Sequence, residues 1–298
     1  MDDFASTELF NLIALELQKQ GYDVRPSPEF KGKISRTAKA SLLNAALDDL
    51  GPSALLKIGS GIEDVHGKPM VSVLLNAISI PDVIERWQRL EVFFHGNHRV
   101  RTLNITEKTI SVEHYSLNGN PPSKGEDLVI AGLLSALFKS VGAKKLCLHI
   151  NNRVVLTDGD IHEDVLDLPS SNLWEYTWSH LDTKAYTNIT ACKDQNIAQR
   201  LASIMSSDIG RSWNLISAAQ IMGISTRTMQ RKLALCETSF QSILRAERVD
   251  RAAIMLLESQ YSLLEVGYAT GFSDQAHFSR EFKLRFNMTP TEYSKLKL

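Results

Sequence analysis

The feature that most constrains this chain is a plan written twice in its last hundred residues. A small residue is followed four positions later by glycine, and then by a hydroxyl or carboxylate residue that opens an amphipathic helix. In the first copy, residues 215–235, Ala218 and Ala219 precede Gly223, and Ser225 stands before TRTMQRKLAL. In the second, residues 263–286, Gly267 precedes Gly271, and Ser273 or Asp274 caps the helix that contains QAHFSREFKLRF. Two helices cross closely only where a small residue lies at their contact. The tight turn between them needs a positive φ, which glycine adopts without steric cost. The spacing therefore predicts two helix-turn-helix units. Met229 and Leu233, with Leu235 at the end, are expected to form the buried stripe of one second helix; Phe278, Phe282 and Phe286 form that of the other. The opposite faces carry Arg227, Gln230 and Arg231 in the first copy and Gln275, His277, Ser279, Arg280 and Lys283 in the second. Arg suits guanine edges and phosphates, and Gln suits adenine edges.

Between the copies, residues 239–258 contain neither Gly nor Pro and read as one long helix joining two reading heads. After the second copy, Thr289-Pro290-Thr291-Glu292 is a helix start: Thr as N-cap, Pro at the first helical position, Glu three after the cap. Tyr293 and Leu296 are expected to dock that last helix. Charge follows the same division. Residues 193–298 hold 14 Lys and Arg against 10 Asp and Glu, whereas residues 1–192 hold 19 against 24, so a net charge of −1 conceals a basic C-terminal part. A polyanion would meet that part alone.

Three segments carry a resemblance: AAQIMGISTRTMQRKL, TSFQSILRAERVDRAAIMLL and SLLEVGYATGFSDQAHFSREFKLRFNMTPTEY. Through them residues 196–298 resemble the DNA-binding domain of the AraC/XylS family of bacterial transcription regulators. The resemblance implies seven helices with two helix-turn-helix units, each placing a recognition helix in adjacent major-groove segments on one face of the duplex. By position, Arg227, Gln230 and Arg231 match the first recognition face, and Gln275, Ala276, Ser279 and Arg280 the second. Three positions depart from the family pattern. Gly267 replaces the usual Ala, at an intrinsic helix cost of about 1 kcal/mol. Thr270 stands where Leu or Val is commoner. Asn287 stands where Gly is usual, and Asn tolerates the left-handed conformation.

The first 182 residues read as a mixed α and β domain. Residues 4–20 and 36–49 have helical spacing, 70–78 is apolar without a clear period, and Pro81 opens a helix to about Leu90. Residues 99–105 and 109–117 alternate like a hairpin, 125–140 form a strongly apolar helix, and 145–150 and 153–156 read as further strands. The polar stretch 183–195 reads as a linker. The pattern of residues 10–180 is similar to the arabinose-binding-like domain that accompanies this subtype of regulator, which implies ligand sensing or dimerisation.

Other chemistry has weaker support. The HxxH of His95 and His98, with His114 and His149 on strands, makes a metal or haem site conceivable, but such histidines are more often core or surface residues. Gly59-Ser60-Gly61 lacks the remainder of a dinucleotide or P-loop fingerprint, and no G-x-S-x-G elbow occurs. Trp174 and Trp178, one helical turn apart, are expected to cap a core rather than line a pocket. Cys147 is expected in buried packing. With three cysteines and no CxxC pair, neither a disulfide scaffold nor structural zinc is supported.

The expected fold is multidomain: an α+β N-terminal sensing or dimerisation domain (1–182), a linker (183–195) and an all-α double helix-turn-helix domain (196–298). The expected function is sequence-specific DNA-binding transcription regulation by a cytoplasmic, non-enzymatic protein without cofactor or metal. The expectation is an activator controlled by a small-molecule effector. Its partners would be double-stranded DNA, the effector, a second copy in a homodimer and RNA polymerase, but no membrane. Two alternatives stay open: a ligand-independent dimer whose N-terminal domain only assembles subunits, and an enzyme domain fused to a DNA-binding tail.

Overall fold

The computed structural model describes residues 4–24, 33–62, 69–94, 97–162, 169–182, 196–258 and 261–295. The expected linker 183–195 lies outside the described residues, as do Cys192, His95 and Leu296. The chain divides into two compact units, Met1–Lys184 and Ala185–Leu298.

Unit 1 runs β1 (Phe4–Ser6), α1 (Thr7–Lys19), β2 (Lys33–Ser35), α2 (Arg36–Leu50), α3 (Pro52–Leu56), α4 (Pro69–Leu75), α5 (Ile80–Phe94), β3 (His98–Ile105), β4 (Thr109–Ser116), α6 (Lys124–Ser140), β5 (Ala143–Lys144), β6 (Cys147–Ile150), β7 (Arg153–Thr157), β8 (Asp160–Ile161), β9 (Leu173–Thr177) and β10 (His180–Leu181). Six strands form an antiparallel sheet in the order β3-β4-β9-β6-β7-β8, while β1-β2 and β5-β10 are separate pairs. Val100, Ile110, Val112, Leu148, Ile150, Trp174 and Tyr176 are buried at alternate positions of four strands, as a sheet with one covered face requires. Helix α6 is the centre of the unit. A helix apolar nearly all round must be covered on more than one side, and α6 packs against α2, α3, α4 and α5. The Tyr176 hydroxyl of β9 donates to the Ala131 carbonyl of α6 at 3.0 Å, fastening the sheet to the helix, and Ser135 Oγ, on α6 itself, donates to the same carbonyl at 2.9 Å. Gly132 permits the α3 contact, since a Cβ there would lie 2.3 Å from the Leu56 carbonyl oxygen.

The charged residues of Ile80–Phe94 are not all on its outer side. Arg86 is fully buried, paired with Asp82 at 2.9 Å and donating to the Val73 carbonyl of α4 at 2.7 Å. A buried guanidinium persists only with such partners.

Several local expectations are corrected. Residues 4–6 form a strand, because pairing of Phe4 with Ser35 across the chain overrides their helical spacing. The unassigned apolar stretch is helix α4, ending at Leu75. Trp174 and Trp178 are buried, but Trp174 lies on strand β9 and Trp178 just beyond it. A spacing of four fits both a helical turn and a strand face. Cys147 is only partly buried because it alternates with Leu148 on β6 and takes the open face.

Unit 2 contains seven helices among the described residues: α7 (Ile197–Ser207), α8 (Leu215–Ile221), α9 (Thr226–Leu235), α10 (Phe240–Leu257), α11 (Leu263–Ala269), α12 (Gln275–Phe286) and α13 (Pro290–Tyr293). Leu201, Met205, Ala218, Met229, Leu233 and Leu244 share one core, built from α7 to the start of α10. Phe272, Phe278 and Phe282 are fully buried in the second half. The closing helix starts as its sequence predicts, with a reciprocal Thr289–Glu292 capping box and Pro290 at the first position. Tyr293 packs on Phe282 and Phe286 at centroid distances of 5.2 and 5.0 Å.

Candidate nucleic-acid interface

Helices α8 and α9 are joined by a turn with one hydrogen-bond pattern, and α11 and α12 repeat it. The amide of Gly223 donates to the Gln220 carbonyl and that of Ile224 to the Ala219 carbonyl, both at 3.0 Å. The amide of Gly271 donates to Tyr268 at 2.9 Å and that of Phe272 to Gly267 at 3.1 Å. The small residue of each copy thus supplies the carbonyl that closes the turn. Gly223 and Gly271 take φ of +68° and +82°, the left-handed region where a Cβ is strained. Gly271 has a second constraint: a Cβ there would stand 2.6 Å from the Ile209 carbonyl oxygen and 2.9 Å from the Arg248 guanidinium.

Both second helices are capped by side chains. Ser225 Oγ accepts from the Thr228 amide at 3.1 Å, and Asp274 Oδ1 from the His277 amide at 2.7 Å. That amide, and the Ser273 hydroxyl beside it, hold the Asp274 carboxyl below the usual range against the upward push of burial. Of the two caps offered by the sequence, Asp274 is the one used.

The faces divide as periodicity requires. On α9, Met229 and Leu233 are buried while Arg227, Gln230 and Arg231 are exposed. On α12, Phe278 and Phe282 are buried, Gln275, Ala276 and Arg280 are exposed, and Ser279 is half-buried. Leu235 is the exception to the expected stripe. It is 80% exposed, because two residues beyond Leu233 is roughly 200° around the axis at 3.6 residues per turn. Phe286 is half-buried. The acidic Glu281 is occupied by Arg245 at 3.8 Å and His277 at 3.7 Å. Arg285 is held by Asp250 of α10 through two hydrogen bonds of 3.2 and 2.9 Å. Arg227, Arg231 and Arg280 have no ion-pair partner among the described residues. Helix α10, which spans the two halves, is about 27 Å long at 1.5 Å per residue.

The three departures from the family pattern have local accounts. The buried Thr270 hydroxyl donates to the Val266 carbonyl at 2.7 Å, so a polar residue is tolerated there. Gly267 is buried and its carbonyl accepts the turn amide. Asn287 ends α12 in the left-handed conformation at φ +54°.

Unit 1 holds a buried polar cluster that residue spacing did not reveal. His114 Nδ1 lies 2.8 Å from Asp127 Oδ1, and the His98 ring is 5.4 Å from that of His114. Glu126 approaches Lys39 at 3.3 Å and His98 at 3.8 Å. Burial, with the charge of Glu126 next to it, pushes Asp127 up to about 8. Burial, with the charges of His98 and Lys39, pushes His114 down to about 3. Burial thus disfavours the charged form of both partners of this hydrogen bond. Burial raises Glu126, but Lys39, the Ser123 amide and His98 together hold it down at about 2. The S-x-x-E spacing of Ser123 and Glu126, a reciprocal capping box on α6, was the one signal in the sequence that could have placed Glu126 at a helix start. His149 lies apart from this cluster and contacts Thr177 at 3.3 Å. Among the described residues no group of three or more His, Cys, Asp or Glu is arranged to hold a metal ion. No described helix is long and apolar enough to cross a membrane.

Seven helices, with two capped helices presenting exposed Arg and Gln opposite buried stripes, define unit 2 as a helical module of the helix-turn-helix class. Comparison with known proteins places it further. The helix-turn-helix domain family matches residues 218–296, so unit 2 carries a helix-turn-helix domain of the AraC type. The chain is 29% identical over 94 residues to the HTH-type transcriptional activator CsvR of Escherichia coli, covering 32% of this chain and 35% of CsvR. It is 27% identical over 96 residues to the HTH-type transcriptional activator CfaD of Escherichia coli, covering 32% and 36%. The chain thus spans about a third of the length of these curated relatives. A solved transcriptional regulator of Chromobacterium violaceum, described as AraC-type, is 27% identical over 33% of this chain and 89% of its own, with a TM-score of 0.32.

Proposed function

We propose that this protein is a sequence-specific DNA-binding transcription regulator, an activator in which residues 196–298 bind double-stranded DNA through two helix-turn-helix units. The observation that carries the reading is the repeated turn with its two outward faces. Arg227, Gln230 and Arg231 would read one major-groove segment, and Gln275, Ala276, Ser279 and Arg280 the next. Long side chains with several N–H donors, Arg227, Gln230 and Arg231 on the first capped helix and Gln275 and Arg280 on the second, suit base edges and phosphates. Residues 1–182 would bind a small-molecule effector and pair two copies, and RNA polymerase would be the partner of the DNA-bound activator.

Selection of genomic fragments by the purified full-length protein, at two salt concentrations, tests this. The expected result is a site with two short blocks about one helical turn apart that survives the higher salt. Salt-sensitive retention of all fragments without an enriched site would overturn it.

A further inference from the structure

A cleft of about 330 Å3 opens in unit 1 between α6, the segment following α3, and the β7–β8 hairpin. Two glycines shape it. Gly132 lets α6 approach the Leu56 carbonyl. Gly59, at φ +101°, brings the chain after α3 against Leu133, where a Cβ would stand 2.8 Å from Cδ2. Leu56, Ile62, Ala136 and Leu156 supply apolar lining, and Leu56, Ile62 and Leu156 are themselves buried. The cleft's charged lining is cationic: Lys57 and Lys139, both exposed, with the Ser60 hydroxyl beside them. Lys139 donates to the Asp158 carbonyl at the hairpin turn, and its ammonium carries three donors. The Lys57 backbone is hydrogen-bonded to Ser53 and Ser60, while its ammonium has no ion-pair partner among the described residues. No acidic side chain among the described residues lines the cleft. Asp158 turns its carboxylate to the Leu146 amide at 2.9 Å.

The volume is at the lower end of the roughly 300–1,000 Å3 typical of small-molecule sites. An apolar floor with two ammonium groups and no described carboxylate favours one ligand chemistry: a compact apolar body ending in an anion. A hydroxyl and flexible lysines suit a singly charged carboxylate. We propose that this cleft is the effector site of the protein and takes a small monocarboxylate with an aliphatic or aromatic body. The proposal rests on reading unit 1 as an effector-binding domain.

The test uses the full-length chain, titrated calorimetrically with hexanoate and phenylacetate, each beside its amide. At least one carboxylate is expected to bind saturably and to raise the melting temperature by mass action, with its amide binding about tenfold or more weakly. Lys57→Gln and Lys139→Gln, both surface changes that leave the fold intact, are each expected to weaken the carboxylate about tenfold. Ala136→Phe, which fills the cleft, is expected to abolish binding. Absence of saturable carboxylate binding, equal binding of acid and amide, or indifference to both lysine variants would each overturn the assignment. Genomic selection run in parallel separates the two readings. An enriched DNA site without carboxylate binding removes the cleft proposal alone. Carboxylate binding without an enriched site keeps the cleft and removes the regulator.

Discussion

His114 Nδ1 and Asp127 Oδ1 meet at 2.8 Å inside unit 1, and both residues are buried. Burial and the neighbouring Glu126 raise Asp127 from 3.8 to about 8, so its proton is held far more tightly in the folded than in the unfolded chain. A carboxyl raised in this way contributes stability that is fully present below the unfolded pKa and is lost as pH rises through the folded one. Asp127→Asn keeps a hydrogen-bonding group toward His114 and removes the titration. Thermal melts from pH 6 to pH 9 should show the parent losing stability with rising pH more steeply than Asp127→Asn. Parallel curves would mean that Asp127 is already ionised at pH 6.

The two turn glycines should differ. Gly223 needs only its positive φ, since nothing lies within 4 Å of an added Cβ, so Gly223→Ala should cost about 1–2 kcal/mol. At Gly271 the backbone must also move away from Ile209, and Gly271→Ala should cost about 3 kcal/mol or more. Urea unfolding followed by circular dichroism measures both, and equal losses would show that the Ile209 contact yields freely.

Arg231→Ala and Arg280→Ala should each weaken binding to a selected DNA site by about 1–3 kcal/mol and relax preference at one base position. Equal weakening on every sequence would restrict these side chains to phosphate contacts.

Gly132→Ala places a methyl group 2.3 Å from the Leu56 carbonyl oxygen. The expected loss is about 3 kcal/mol, the upper part of the overpacking range. It should be confined to unit 1, where three of the four tryptophans lie, so tryptophan fluorescence reports it. An unchanged midpoint would show that α3 shifts without cost.

Much of unit 2 is legible in the sequence because each of its signals is local. Ser225, Asp274 and Thr289 cap helices whose starts their own neighbours define, and Gly223 and Gly271 mark turns that need their φ. Unit 1 is only partly legible. The hairpin of β3 and β4 and the apolar helix α6 follow from their periods. The short strands β1, β5, β8 and β10 have two or three residues each, too few for a period; β1, β5 and β10 exist because distant chain segments pair with them, and β8 because it folds back on β7. Strand β9 was hidden because Trp174 and Trp178 fit a helix equally well.

By itself the sequence determined the helix-turn-helix plan and the side chains on its outward faces, since capping, turn conformation and helical periodicity act within a few residues. Only the tertiary structure decided that Lys39, His98, His114, Glu126 and Asp127 share one buried cluster, and that Lys57 and Lys139 line one cleft. Those residues lie up to about ninety positions apart. Their meeting depends on α6 packing against both the sheet and the earlier helices, a close contact that Gly59 and Gly132 permit but that no local pattern encodes.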